Sequence, residues 1–511
     1  MALLECLPHL SLGTLAWLLV AYWATWGIYC CTLHPLARVP GPLWPALSRT
    51  WLMYRIFRGD LEVVERRLHN HYGPLVRIAP NEVSSSDPAA IPTIYRTQGP
   101  LEKSDYYPTF RLQGISKHAD LFSDTDEVHH AKYRRIVSPA YQLSSVLKSE
   151  DAIDDCTSLF VRRLREFAVD KKTVDLGLWL EMYAYDVIGR LLYGHNFGFL
   201  EQKTDANGYI DSIERSLPLL VFAAVGPKYL RTPILIAGIF IPGILPALKA
   251  LDKLKEQACV LVERRKKAFQ EDGPKESDIM NQLFKIIQER GSEVDFSDKE
   301  VIVESWVGLF AGADSVAIEL RAIFYYLMKH PHAMARVIAE IREADMNNRL
   351  SSPVRYSESV THLPYTGAVI KEASRIFPSF SIHLPRLAPT EGLELSGYHI
   401  PAGYRAGINA AVVQRDALVF GLDANEFKPE RWLESADRNF AMEKGMLIFG
   451  AGTRTCSGKH IAQAEMYKLV PEILRHFNLE MAHDRPWTLR NSAFVKQKDI
   501  LIHLTLRLDG E

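Results

Sequence analysis

The sequence lacks an excess of either charge. Lys and Arg total 60, Asp and Glu 61, and the formal net charge is −1. No basic surplus is present to hold a nucleic-acid backbone. Cysteine is scarce: Cys6, Cys30, Cys31, Cys156, Cys259 and Cys456 are the only six in 511 residues. None forms a C-x-x-C pair and no histidine pair stands at zinc spacing, which excludes a disulfide scaffold and argues against structural zinc. A reducing compartment fits the main body. Beyond the first fifty residues there is no Gly/Ser linker, Pro-rich spacer or repeat of fixed period, so one large domain behind an N-terminal appendage is expected. No G-x-G-x-x-G stands at a strand–helix junction, so the chain brings no flavin or nicotinamide fold of its own.

Charge is also missing from Leu10–Leu33, "LSLGTLAWLLVAYWATWGIYCCTL". As a helix its 24 residues would reach about 36 Å, enough for a hydrocarbon core of about 30 Å. Trp17, Trp23, Trp26 and Tyr29 supply interfacial aromatics. A cleaved signal peptide would have a basic start and a shorter apolar core. Here the first basic residues, Arg38, Arg49, Arg55 and Arg58, follow the span. The positive-inside rule then places the body in the cytosol. We expect a signal anchor over 1–33, a stiff, extended Pro-rich stalk over 34–48 and a catalytic domain over 49–511. A second uncharged run, Thr232–Leu248, is interrupted by Pro233, Pro242 and Pro246. It reads equally as a buried broken helix or as a lobe dipping into a bilayer surface.

The longest helical pattern runs from the capping-box spacing of Ser297 and Glu300 to Pro331, about thirty residues. At its centre "AGADS" places Ala311, Gly312, Asp314 and Ser315 where helix propensity favours apolar residues. Gly312 would let something flat lie against the backbone, with Asp314 and Ser315 as proton donors beside it. The plain alternative is a solvent-facing Asp and a helix-bonded Ser. "IKEASRIFP" offers Glu372 and Arg375 on one face, and "FKPERWL" adds Arg431; a buried Glu372 between two guanidiniums would fix how two segments register. His130 and Arg134 share a helix face, either as a surface pair or as donors to an anion.

The stretch "FGAGTRTCSGKHIA" carries a lone thiol, Cys456, ahead of a helix. Gly450 and Gly452 permit positive φ and Arg454 is a fork suited to a carboxylate. Gly458 leaves room beside the sulfur. A thiolate at a helix start is favoured by the dipole and by free N–H groups, and serves as metal ligand or nucleophile. The only base in reach for a nucleophile is His460, which at i, i+4 points away.

"FGAGTRTCSG" matches F-x-x-G-x-R-x-C-x-G at Phe449, Gly452, Arg454, Cys456 and Gly458, and AGADS, E-x-x-R and PERW precede it in order. In this the chain resembles the cytochrome P450 haem-thiolate proteins, most closely the microsomal kind and the fungal secondary-metabolism branch. The resemblance extends over the chain beyond the stalk. It implies a mainly α fold with small β-sheets, an α+β body behind one transmembrane helix. It implies haem b (iron protoporphyrin IX) with Cys456 as axial ligand of the iron. Arg454, Arg386, His130 and Arg134 would hold the propionates, with His130 where the family often has Trp. Ala311 and Gly312 would lie over the haem, and Phe449 beside the sulfur. Glu372, Arg375 and Arg431 match the structural triad. Asp314 and Ser315 match the acid–alcohol pair that supplies protons for oxygen activation. Serine replaces the usual Thr, keeps the hydroxyl and lacks the methyl that restricts rotamers, so some leakage to peroxide is expected. By position, Phe110, Leu121, Phe122, Phe310, Ala311, Ser315, Phe380, Ser381, Ile382 and Phe494 are candidates for an apolar substrate pocket; plain core packing is the competing role of each.

The resemblance further implies a monooxygenase using O2 and NADPH-derived electrons. These would come from a separate NADPH–cytochrome P450 reductase, with cytochrome b5 as an optional second donor, docking near Lys459 and Arg134. The setting would be the endoplasmic reticulum membrane, single-pass. A haem-thiolate isomerase or dehydratase needing no reductase, and a non-enzymatic haem-binding membrane protein, are the rival readings. The first is disfavoured by the intact acid–alcohol pair, the second by the lack of an output domain.

Overall fold

The computed structural model describes residues 11–205, 207–272 and 278–507. The first ten residues of the expected anchor, with Cys6, lie outside them. The long helix Asp298–Lys329 crosses the body, with the capping box of Ser297 and Glu300 in place at its start. Its 32 residues are apolar enough to cross a membrane, yet most of the helix is buried in protein, so it is the core spine. It packs along Leu176–Tyr193, buried over nearly its whole length. Gly308 permits this approach, because a Cβ there would stand 2.5 Å from Leu192 Cδ1.

Around the spine stand the helices Glu150–Asp170, Tyr209–Val225, Pro364–Ile376 and Lys459–His476. Leu75–Ala79, Glu82–Ser85, Arg405–Ile408 and Arg386–Leu387 form one sheet in that order, with the middle pair parallel. Val174–Asp175, Leu501–Leu506 and Phe477–Met481 form a second, and Leu393–Leu395/Tyr398–Ile400 and Thr488–Ser492/Phe494–Lys498 are hairpins. These short strands are the small sheets expected of the fold. The body is mainly α with small sheets.

The apolar helix Leu12–Thr32 is exposed along nearly its whole length, as a membrane anchor requires. The stalk is not the extended segment that its prolines suggested. Residues 35–38 form turns, Leu43–Leu47 is a short helix, and Leu36 and Val39 are buried against the sheet side of the core. Arg77 ties it further, donating to the Cys30 carbonyl at 2.9 Å and lying 3.0 Å from His34 Nδ1. Proline stops the anchor helix here without keeping the chain away from the body.

The run Thr232–Leu248 is broken, as its prolines require, between the helices Lys228–Gly238 and Ile244–Asp272. The buried reading is overturned: Tyr229, Ile236, Phe240, Ile241 and Leu245 are all exposed.

Candidate functional site: a thiol-floored cavity with a cationic rim

The loop before Lys459–His476 has two left-handed glycines, Gly450 (φ 68°) and Gly452 (φ 65°). Gly452 is required twice over, since a Cβ there would lie 2.3 Å from the Tyr95 carbonyl oxygen. The fold of this loop carries the Cys456 N–H to the Phe449 carbonyl at 2.8 Å, and a Cβ added at Gly458 would stand in ordinary contact, 3.8 Å from Sγ. The thiol opens into an internal cavity between this loop and the long helix, so it is accessible there while enclosed by the protein. Enclosure raises its pKa; the N–H groups of Gly458 and Lys459 and the charge of Arg134 oppose that rise.

The cavity is mostly apolar. Ala311, Gly312 and Ser315 of the long helix face it, with Phe110, Leu121, Phe122, Phe310, Phe380, Ile382, Phe449 and Phe494. One expectation is corrected and one is extended. Ser381 does not line the cavity: its hydroxyl donates to the Pro378 carbonyl at 2.8 Å, and its own carbonyl accepts from Asn409 and Asn491. Gly312 is small partly for helix packing, since a Cβ there would press on Ile188 at 3.1 Å. Ser315 is helix-bonded, donating to the Ala311 carbonyl at 2.9 Å, while its oxygen stays open to the cavity. Asp314 is buried rather than solvent-facing and turns away from the cavity; burial raises its pKa and it keeps its proton.

One rim of the cavity is crowded with cations. His130, Arg134 and Arg454 line it, and Arg386 stands close behind, as the electrostatics at His130 and Lys103 show. Lys103, which the sequence reading missed, joins them. It is buried, donates to the Phe122 carbonyl at 2.7 Å, and burial followed by Arg386 and Arg454 holds its pKa well below the usual lysine range. His130 is 1% exposed, and neither ring nitrogen has a hydrogen-bond partner. Burial and the surrounding cations keep it neutral. Arg386 also donates to the Tyr107 hydroxyl. Arg454 already has a carboxylate: Glu127 accepts from its Nη2 at 2.6 Å. Arg134 is half-buried and faces Cys456 and the cavity instead of lying free on the surface.

Buried like charges are costly unless something compensates them, and buried polar atoms are normally paired. The rim fits a flat group that brings its own carboxylates, and the floor offers a sulfur ligand. That donor set would suit an iron porphyrin, whose propionates Lys103, His130, Arg134 and Arg386 could take and whose iron Cys456 could ligate. A second group missed in the sequence is Glu304, which lines the cavity, accepts from the Tyr141 hydroxyl at 3.1 Å and is pushed up to about 7 by burial. A Glu two helical turns before AGADS is not distinctive, and Lys103 sits in irregular chain with no motif around it.

Behind this site lies a knot of different character. Glu372 receives both Nε and Nη2 of Arg375 at 2.8 Å, Arg431 Nε at 3.0 Å, Trp432 Nε1 at 2.9 Å and the Lys428 N–H at 2.9 Å. The three residues expected to meet do so, fully buried.

The cytochrome P450 family model matches residues 39–504. The cytochrome P450 monooxygenase gsfF of Penicillium aethiopicum is 43% identical over 503 residues, covering 98% of both chains. The cytochrome P450 monooxygenase ACRTS1 of Alternaria alternata is 44% identical over 376 residues, 74% of this chain and all of that one. A pisatin demethylase of Fusarium vanettenii is 32% identical across 93% of this chain and 92% of its own. A glycine-shaped thiol loop, a rim of basic side chains and a family match over residues 39–504 lead to one assignment: the chain belongs to the cytochrome P450 family and is a P450 monooxygenase, with the haem iron and use of O2 that the family implies.

Proposed function

We propose that the chain oxidises a mostly apolar small molecule, in fungal secondary metabolism, with electrons passed singly from an NADPH-dependent flavoprotein reductase. The observation that carries the reading is the joining, in one apolar cavity, of the Cys456 thiol, the cationic rim and the Ser315 hydroxyl. The haem, when bound, supplies the oxygen chemistry. The chain's own residues do the rest. The amide-lined loop holds Cys456 as a thiolate ligand. Lys103, His130, Arg134 and Arg386 fix the cofactor by its propionates. Phe110, Phe122, Phe310, Phe380 and Phe494 exclude water and hold the substrate by apolar contact. Ser315 offers its hydroxyl at the cavity surface for proton delivery, with the protonated Asp314 next to it in the chain.

The anchor helix and the exposed Tyr229–Leu245 lobe support attachment to the cytosolic face of the endoplasmic reticulum membrane, with the lobe against the bilayer. Lys132 and Arg135, exposed on the helix Glu127–Val137, and Lys459, which starts the helix after Cys456, are the reductase contacts we favour. The gsfF and ACRTS1 proteins are named as monooxygenases, which favours oxidation over reductase-free isomerisation.

The experiment is reconstitution of the full chain with a microsomal reductase, NADPH and a panel of aromatic polyketide and terpenoid substrates. Product formation that needs both reductase and NADPH supports the reading, and turnover without either overturns it. In the same assay Ser315→Ala lowers product per NADPH several-fold and raises peroxide release; unchanged coupling removes the serine from the relay.

A further inference from the structure

One buried acid of the cavity has no task in oxygen activation. Glu304 is 5% exposed and lines the cavity from the long helix. It lies about 16 Å along that helix from Ser315, and both residues face the cavity. Its Oε2 accepts from the Tyr141 hydroxyl at 3.1 Å. Tyr141 keeps its proton, because burial and the Glu304 carboxyl raise its pKa. The Tyr133 hydroxyl stands beside Glu304, buried and without a hydrogen-bond partner. Among the described residues only Tyr141 hydrogen-bonds this carboxyl, so Oε1 is left to the cavity.

Glu304 lacks what neighbouring acids have. Asp120, which also lines the cavity, takes the N–H groups of Phe122 and Ser123 and the Ser123 hydroxyl. Glu127 takes Arg454. The groups acting on Glu304 are Asp120, from the loop before the helix Glu127–Val137, Tyr133, from that helix, and Tyr141, from the turn after it. Lys103, Arg134, Arg386 and Arg454 are not among them. Further out, Glu300 acts on Tyr133, and Tyr193 and Cys456 act on Tyr141. Burial raises the pKa of Glu304 to about 7; Asp120 adds to the rise and the two tyrosine hydroxyls oppose it. With Oε2 occupied as an acceptor, the proton of the neutral acid sits on Oε1. A mostly apolar wall thus presents an O–H donor, and a buried donor left without an acceptor is costly.

We propose that Glu304 determines specificity, its carboxyl donating a hydrogen bond to a carbonyl oxygen carried by an otherwise apolar, ring-shaped substrate. The proposal rests on the reading of this cavity as the substrate site. A carbonyl accepts and does not donate, which matches the proton on Oε1. An ammonium would fit only the ionised acid, which burial and Asp120 disfavour. A substrate oxygen held at Glu304 leaves the rest of the ring system directed along the helix toward Ser315. One hydrogen bond then selects the substrate class and also which end of the molecule is oxidised.

The test uses the full-length holoenzyme and three probes built on one ring system: fluorene, 9-fluorenone and 9-aminofluorene. Dissociation constants come from equilibrium dialysis. The wild type should prefer fluorenone to fluorene by about tenfold at pH 6. The donor is present below the pKa of Glu304 and lost above it, so the preference should fall toward unity by pH 8. Glu304→Gln keeps an acceptor for Tyr141 and an N–H donor, and should retain the preference without its pH dependence. Glu304→Leu should lose the preference at every pH while still binding fluorene. The red-shifted ferrous–CO band certifies folding and haem loading in each protein. Equal binding of fluorenone and fluorene by the wild type at pH 6, or a preference that survives in Glu304→Leu, would overturn the recognition role and leave the cavity as the substrate site. If Glu304→Leu does not fold, a wild-type preference that ignores pH overturns the role as well, since a merely structural carboxyl predicts that result. A preference for 9-aminofluorene that grows with pH and is lost in Glu304→Gln would overturn the carbonyl assignment. Failure of the wild type to bind any of the three would overturn the substrate-site reading and the proposal with it.

Discussion

Two buried charge clusters, the Glu372 knot and the cavity rim, differ in one respect. Around Glu372 each charge is answered: the carboxylate takes two guanidiniums, an indole N–H and a backbone N–H, and Arg375 spends its remaining donors on the carbonyls of Gln414, Ala424 and Glu426. At the cavity rim, hydrogen-bonding capacity is left over. His130 has no partner on either nitrogen, and Lys103 is held beside Arg386 and Arg454. A satisfied cluster holds a fold together; an unsatisfied one waits for a ligand. The first therefore reports on structure and the second on cofactor, though both are built from Arg, Lys, His and Glu.

Breaking the satisfied cluster has the largest expected effect. Glu372→Gln leaves two buried guanidiniums short of a counter-charge, at a cost of about 3–5 kcal/mol. The expected outcome is a large fall in soluble holoprotein and in thermal midpoint, measured by expression yield and calorimetry. Wild-type stability would erase the distinction drawn here.

The rim responds differently. Lys103→Met removes a cation that the empty cavity does not need but a propionate does. Charge-assisted hydrogen bonds contribute about 1.5–3 kcal/mol, so haem retention against apomyoglobin should fall roughly tenfold to a hundredfold. The apoprotein midpoint should move far less than the holoprotein midpoint. Equal shifts in both would make Lys103 a structural residue like Arg375.

A third buried group sharpens the contrast through pH. His383 lies between Glu82, at 2.6 Å, and Glu65, at 3.4 Å. Burial alone would lower its pKa, but the two carboxylates outweigh burial and raise it to about 9. Its folded pKa thus exceeds the unfolded value of 6.5. The stabilisation is complete below pH 6.5 and is lost as pH rises through about 9. Thermal midpoints taken from pH 6 to pH 10 should fall toward the alkaline end, and His383→Gln should flatten that fall. An equally steep fall in the variant would assign it to other groups.

What the sequence made legible follows the same division. The thiol loop, the triad and the long helix are local patterns: glycines at fixed φ, i, i+3 charge pairs and a capping box each act within a few residues. Their order along the chain was enough to place them together. Lys103 and Tyr107 act only through convergence of distant segments, and no spacing marks them. The stalk was misread because proline ends a helix but says nothing about whether Leu36 and Val39 find a core to enter. Ser381 was misread because its neighbours Phe380 and Ile382 point into the cavity while its own hydroxyl is taken by the Pro378 carbonyl.

The most direct test of the central claim is the carbon monoxide difference spectrum of the reduced full-length protein, wild type and Cys456→Ala. A thiolate-ligated ferrous haem gives a red-shifted Soret band, and the account predicts that band in the wild type and its loss in the variant. An ordinary haem-protein band from well-folded wild type would contradict it, since Cys456 would then not be the ligand and the oxygen chemistry assigned to this cavity would have no thiolate behind it.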